Sequence, residues 1–274
     1  MAELDSGSEH LLARTEGRVA VLTFNRPEAR NALTTSMYDG FARVLPAVAA
    51  DPEIGAVMLT GSGGAFCAGG DVKAMATRRA PGESGGPSVE SRVDDLRRRQ
   101  EMVSLALHEL PKPVIGAIPG PAAGAGLSIA LACDVRIMAD SAFLTTAFAK
   151  VGFSGDFGGS WFLSQLVGTA VARELYFTAR RVDAEEALRL GLTNRVAPAA
   201  DFEAEALAFA AELASGPPIA HRLMKENLNR ALHHELKEAL AAEAVAMTRT
   251  GQTEDHKEAA KSFVEKRQPE FKGR

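Results

Sequence analysis

Short apolar runs alternate with longer amphipathic segments along the first half of the chain, and helical spacing alone follows. Residues 18–24 (R-V-A-V-L-T-F) form a β-rich run after the turn Glu16-Gly17, and such residues suit a pleated, buried surface. Thr34 or Thr35 is placed to cap a helix reaching Ala50, with Gly40 and Pro46 inside it. Asp51-Pro52 marks a turn, and residues 56–60 predict a short strand. A glycine-rich loop over 61–70 leads to a short helix opening near Asp71. Residues 77–88 hold Pro81, Gly82, Gly85, Gly86 and Pro87 and predict a mobile loop, a candidate lid. Residues 89–110 predict a charged amphipathic helix, ended by Pro111 and Pro113. A strand follows over 114–118, then a second glycine loop feeding a helix over 124–132, then a strand over 134–139.

From Gly158 onward almost no strand is predicted. Asp183 with Glu186 resembles a capping box, and Gly191 suits a helix C-terminus. Helices are expected over 201–215, 217–232, 235–249 and 253–267, with Pro217 and Pro218 in a first turn. The expected organisation is an α/β core over residues 1–200 and a helical region over 201–274.

Composition narrows the classes. Of 274 residues, 46% are hydrophobic and 24% charged, which is ordinary for a globular enzyme with a substantial core. Lys plus Arg total 31 against 35 acids, a net charge of -4, so no nucleic-acid partner is expected. Residues 114–133 carry no charge over a membrane-spanning length. Pro119, Pro121 and four glycines break that run, so it reads as strand, loop and helix, and no membrane association is expected. The first ten residues hold three acids and no apolar stretch, so no secretory signal is expected. Cys67 and Cys133 are too few for a disulfide framework; with no signal, a cytoplasmic location is expected.

Two stretches share a design of apolar strand, small-residue loop and helix start: A-V-M-L-T-G-S-G-G-A-F-C-A-G-G-D and V-I-G-A-I-P-G-P-A-A-G-A-G-L. Such loops bring backbone N–H groups close to a ligand and favour negative charge there. Two of them face to face make an oxyanion hole. Rival glycine motifs fail on spacing. A dinucleotide fingerprint from Gly61 and Gly63 needs glycine where Phe66 stands. A nucleophile elbow at Gly152-Phe153-Ser154-Gly155 needs glycine where Asp156 stands. No histidine has a metal-ligand partner at useful spacing, so no metal is expected. Cys67 reads as buried packing, His233-His234 and the run Arg97–Arg99 as solvated helix faces. Ser128 either faces the pocket or hydrogen-bonds within its helix. Asp156 by itself reads as a cap for the helix starting near Gly158 or as a catalytic acid.

Three blocks resemble the crotonase (enoyl-CoA hydratase/isomerase) family: N-R-P-E-A-R-N-A-L from Asn25, F-C-A-G-G-D from Phe66, and A-L-A-C-D-V-R-I from Ala130. The end, F-V-E-K-R-Q-P from Phe263, is similar to the family's last helix. The resemblance covers nearly the whole chain in order. It implies a crotonase/ClpP-like α/β fold, a spiral of β-β-α units with a C-terminal helical trimerisation region, assembling as a homotrimer or dimer of trimers. It further implies an acyl-CoA substrate, with coenzyme A as part of that substrate and no separate cofactor. The Gly70 and Ala125 backbone N–H groups would form the oxyanion hole. Ala68, Val72 and Lys73 would meet the CoA, and Phe263 and Lys266 would reach the CoA of a neighbouring subunit. Arg26, Arg78 and Arg79 are further candidates for CoA phosphates.

The family's hydratases use two glutamates, and the matching positions here hold Ser128 and Phe148. The stretch from Ala122 to Trp161 resembles the phenylacetate-pathway epoxide isomerase and 3,2-enoyl-CoA isomerase, whose aspartate matches Asp156. A lone aspartate suits proton transfer between C2 and C4, and burial among Phe153, Phe157 and Trp161 would strengthen it as a base. The expected activity is therefore enoyl-CoA isomerisation. The alternatives are an enoyl-CoA hydratase, a non-catalytic acyl-CoA-binding protein and a thioester hydrolase.

Overall fold

The computed structural model describes residues 2–76 and 86–274. Its strands are Ala2–Glu3 (β1), Leu11–Glu16 (β2), Val19–Phe24 (β3), Ala56–Gly61 (β4), Val114–Ile118 (β5), Ala122–Ala123 (β6), Val135–Ala139 (β7), Phe143–Thr145 (β8), Val182–Asp183 (β9) and Arg195–Ala197 (β10). A main sheet runs β1-β2-β3-β4-β5-β7-β10, and a small one runs β6-β8-β9. The main sheet is antiparallel at β1–β2–β3 and parallel from β3 onward. β3 and β5 are buried at every position, as expected where both faces of a parallel sheet are covered. Isolated bridges Cys67↔Ala122 and Leu33↔Gly70 tie the first glycine loop to β6 and to the segment after β3.

The helices are Thr35–Ala50 (α1), Val72–Ala76 (α2), Val89–Gln100 (α3), Ala106–Glu109 (α4), Ala125–Leu131 (α5), Gly159–Thr178 (α6, broken by a kink at Gly168 with φ 74°), Ala184–Arg189 (α7), Phe202–Ala214 (α8), Pro218–Ala231 (α9), Leu236–Thr250 (α10) and Glu254–Glu265 (α11). The Thr34 hydroxyl caps α1 by accepting from Met37 N, and Asp183 caps α7 through Glu186 N. The Glu186 carboxylate does not close the capping box; it pairs with Arg180. The helix predicted over 89–110 is interrupted: a π-turn, Glu101–Leu105, separates α3 from α4, and such turns recur near functional sites. The predicted lid lies, over residues 77–85, outside the described residues.

The C-terminal helices differ in how they meet the core. In α8, Phe202, Ala206, Phe209, Ala210 and Ala214 join the hydrophobic core. From α9 onward only Leu223 and Ala246 are buried apolar side chains among the described residues. One ionic contact pins α9: Lys225 Nζ donates to Asp134 Oδ2 at 2.8 Å and to the Leu107 carbonyl at 3.0 Å. Asp134, from the A-L-A-C-D-V-R-I block, also accepts from Val114 N at 2.7 Å. Burial holds its carboxyl above the usual range, and Lys225 opposes that shift. Lys225→Ala strands the carboxylate, so a loss toward the lower end of roughly 3–5 kcal/mol is expected, read as a drop in unfolding midpoint in urea. No helix among the described residues is long and apolar enough to cross a membrane.

Candidate active site

The first glycine loop is held from below by the N-R-P-E-A-R-N block. Asn31 is fully buried, and its Nδ2 donates to the Ser62 and Ala65 carbonyls at 2.9 and 2.8 Å. Its Oδ1 accepts from Arg26 N at 2.8 Å. The strand-like segment beside the loop adds Ala68 N to Arg30 O at 2.9 Å and Leu33 N to Gly69 O at 2.8 Å. The second loop then lies against the first, with Ala123 N donating to Cys67 O at 2.9 Å. This approach requires glycine. A Cβ on Gly69, which has φ +85°, would stand 3.0 Å from Ala125 N and 2.7 Å from Ala123 O; on Gly126 it would stand 2.2 Å from Cys67 O.

The Gly70 and Ala125 amides are left over by this bonding. Neither donates a hydrogen bond among the described residues. Ala125 opens α5 with no side-chain cap, so its N–H is one of the donors a helix start leaves unpaired. Both residues line one cavity of about 630 Å³, together with Ala68, Val72, Phe148 and Asp156.

Asp156 sits on the loop before α6. The following residue, Phe157, has φ +52°; its N–H donates to Gln100 Oε1 at 2.8 Å and its ring stacks on Tyr38 at 5.9 Å. α6 has Gly158 at its N-cap and no side-chain cap, so the Asp156 carboxylate does not cap the helix; only its carbonyl accepts, from Gly159 N at 3.1 Å. Its Oδ1 is buried with no hydrogen-bond partner. Burial pushes the carboxyl up to about 6, because a charge in a dry setting loses its hydration.

Other residues singled out from the sequence are placed as follows. Ser128 is buried and donates to the Gly124 carbonyl at 3.3 Å within its own helix. Cys67 Sγ donates to Asn31 O at 3.0 Å, and burial pushes its thiol up to about 12, so no thiolate forms near neutrality. Arg26 pairs with Asp71 at 2.8 Å and Glu28 at 3.4 Å. Neither Arg26 nor the exposed Lys73 is among the residues lining the cavity. Phe263 and Lys266, at the end of α11, are exposed and also outside that lining. Arg78 and Arg79 lie outside the described residues. Among the described residues no cluster of three His, Cys, Asp or Glu side chains is placed to hold a metal ion.

One reading needs correction. Arg97–Arg99 is not wholly a solvated face: Arg92, Asp95, Leu96 and Arg99 of α3 line the cavity, and the Arg99 guanidinium lies 5.2 Å from the Tyr38 ring centroid. Positions 92, 95, 96 and 99 follow the i, i+3, i+4, i+7 spacing of a single helix face, a signal present in the sequence. His233 likewise stacks on Trp161 at 5.7 Å.

Comparison with known proteins agrees with this geometry. A family model described as enoyl-CoA hydratase/isomerase matches residues 14–274. A probable enoyl-CoA hydratase of Rhodobacter capsulatus is 40% identical over 93% of this chain and 95% of its own length. The 1,2-epoxyphenylacetyl-CoA isomerase of Escherichia coli is 35% identical over 97% of this chain and 99% of its own. The crystal structure of an enoyl-CoA hydratase from Polaromonas sp. JS666 superposes with TM-score 0.89 at 35% identity, covering 95% of this chain and 99% of that one. Blocks, fold, facing loops and relatives lead to one conclusion: this chain belongs to the enoyl-CoA hydratase/isomerase, or crotonase, family of acyl-CoA enzymes.

Proposed function

We propose that the protein is an enoyl-CoA isomerase in which the Gly70 and Ala125 N–H groups hold the thioester oxygen and Asp156 moves the proton. The observation carrying this reading is Asp156 itself, a half-buried carboxylate lining the same cavity as the two amides, with one buried oxygen unpartnered. The cavity's other acid, Asp95, is paired with Arg98. Asp156 takes a proton from C2 of a 3-enoyl thioester, and the C–H electron pair becomes the dienolate whose charge rests on the thioester oxygen. Two fixed donors stabilise that charge without reorganising. The carboxylic acid then returns the proton to C4, giving the 2-enoyl thioester. A value near 6 suits the task, leaving the group ionised at neutral pH yet more basic than an ordinary aspartate.

A hydratase reading is favoured by the names of relatives, including the short-chain-enoyl-CoA hydratase of Clostridium acetobutylicum at 37% identity. It lacks the second carboxylate, since Ser128 and Phe148 occupy the positions where a water-activating pair would stand. Assays with 3-enoyl-CoA and 2-enoyl-CoA separate the readings. Conversion of the former into the latter is expected; 3-hydroxyacyl-CoA as main product, undiminished by Asp156→Asn, would sink the isomerase. The same incubation in deuterium oxide tests catalysis itself: α-carbon labelling is expected, whereas labelling absent or release of free CoA points to a binding protein or a hydrolase.

The proposal extends to assembly as a homotrimer or pair of trimers. Met224, Leu228 and Leu232 form an exposed i, i+4, i+8 stripe along α9 and its C-cap, and Leu236 and Leu240 are exposed on α10. In such an assembly Phe263 and Lys266 would complete a neighbouring copy's CoA site, with Ala68, Val72, Lys73 and Arg26 on the first copy. Light scattering is expected to give three or six chain masses, and Leu228→Glu to lower that number.

A further inference from the structure

Tyr176 on α6 is the unexplained group closest to the proposed chemistry. Its ring stacks on Phe148 at 5.9 Å and 23°, and Phe148 is part of the cavity wall. Its hydroxyl reaches under the loop that carries Asp156. A Cβ on Gly155 would stand 3.1 Å from Tyr176 Oη, and one on Gly159 would stand 2.7 Å from it and 2.2 Å from Ser128 Oγ. Neither the loop at Gly155 nor the first residue of α6, Gly159, carries a side chain where the hydroxyl approaches. The Ser128 proton is already committed to the Gly124 carbonyl.

Two buried polar atoms in this region lack a partner: Tyr176 Oη and Asp156 Oδ1. One can donate and the other can only accept while ionised. Leaving both unpaired costs the desolvation of each, and joining them recovers it as a hydrogen bond to a charged group. We propose that Tyr176 is a positioning residue whose O–H donates to Asp156 Oδ1 in the substrate complex, aiming the other carboxylate oxygen at the acyl chain. This rests on the reading of Asp156 as the proton shuttle. Burial and the nearby Asp156 charge push the Tyr176 phenol up to about 12, so it stays a neutral donor and takes no proton itself. The other charged groups lining the cavity are Arg92, Asp95 and Arg99 of α3.

The test compares Tyr176→Phe and Asp156→Asn with the parent enzyme, using 3-enoyl-CoA across pH. Tyr176→Phe removes one oxygen and keeps the stacked ring. It is expected to lower kcat by about tenfold with KM little changed. Losing a donor to the ionised carboxylate raises that group's pKa, so the acid limb of kcat should move upward relative to the parent. A purely structural hydroxyl predicts neither change, because deleting a buried unpartnered group leaves stability equal or improved. If Asp156→Asn is inactive while Tyr176→Phe keeps the parent rate and limb, the positioning role is overturned and the shuttle stands. A lower kcat with an unmoved limb also overturns the pairing. If Asp156→Asn retains the parent rate, the shuttle reading falls and takes this proposal with it.

Discussion

Asp156→Asn is expected to lower the rate of double-bond migration by roughly 10²–10⁴-fold, the range for removing a positioned acid–base group. The amide keeps the size of the carboxyl, so acyl-CoA binding should survive, and the loss should fall on kcat. In the proposed mechanism the carboxylate is the active form, so activity should rise with pH through about 6 and then level. The variant's residual activity should show no such limb. Stability should move the other way. The folded carboxyl is raised above its unfolded value of 3.8 to about 6, so the native state holds more protons than the unfolded one between those values. Its contribution to stability is therefore fully present below pH 3.8 and is lost as pH rises through about 6. At pH 8 the Asn variant should melt higher than the parent, by as much as about 3 kcal/mol in stability. An inactive variant that is also destabilised at pH 8 would argue that Asp156 holds the loop together instead.

Ala125→Pro is expected to lower kcat by roughly 10²–10³-fold, the cost of deleting one oxyanion donor. Proline removes a single N–H, and Ala125 occupies the first position of α5, where helices accept proline readily. The preceding residue is Gly124, whose φ of +54° avoids the restriction proline places on residues with a side chain. Circular dichroism should therefore be unchanged while turnover collapses. Near-normal turnover in a folded Ala125→Pro protein would remove this amide from the mechanism.

The long, strongly patterned elements were legible in the sequence. Thr34 or Thr35 marked the start of α1, where Thr34 proves to be the cap, Pro217 and Pro218 marked the start of α9, and the β-rich run of β3 and the apolar run of β5 read as strands. The short strands were not. β6 and β9 have two residues each, β8 and β10 three, too few to show a period; they exist because neighbouring strands offer them a ladder. β2 buries only Leu11 and Ala13, so its pairing with β3 supplies what its own pattern does not. At the site, Gly70, Ala125 and Asp156, which line one cavity, were singled out through the blocks around them. The α3 face was missed because its arginines read as solvent-facing, although their spacing lies on one side of the helix. Tyr176 carried no local signal at all, since its place beside Gly155 and Gly159 is created by the break of α6 at Gly168, which turns the helix back toward its own start.

The anchoring of the two glycine loops has a consequence for how such a protein can change. Asn31 and its neighbours fasten the amide pair from the N-terminal side, whereas Asp156 hangs on contacts from Gln100, Tyr38 and α6. The proposed charge cradle and the proposed acid–base group thus have separate foundations. Residue 156 can be exchanged, and a new reaction tried, while the two anchored loops keep their shape. An architecture with divided supports lets mutation explore chemistry one tool at a time.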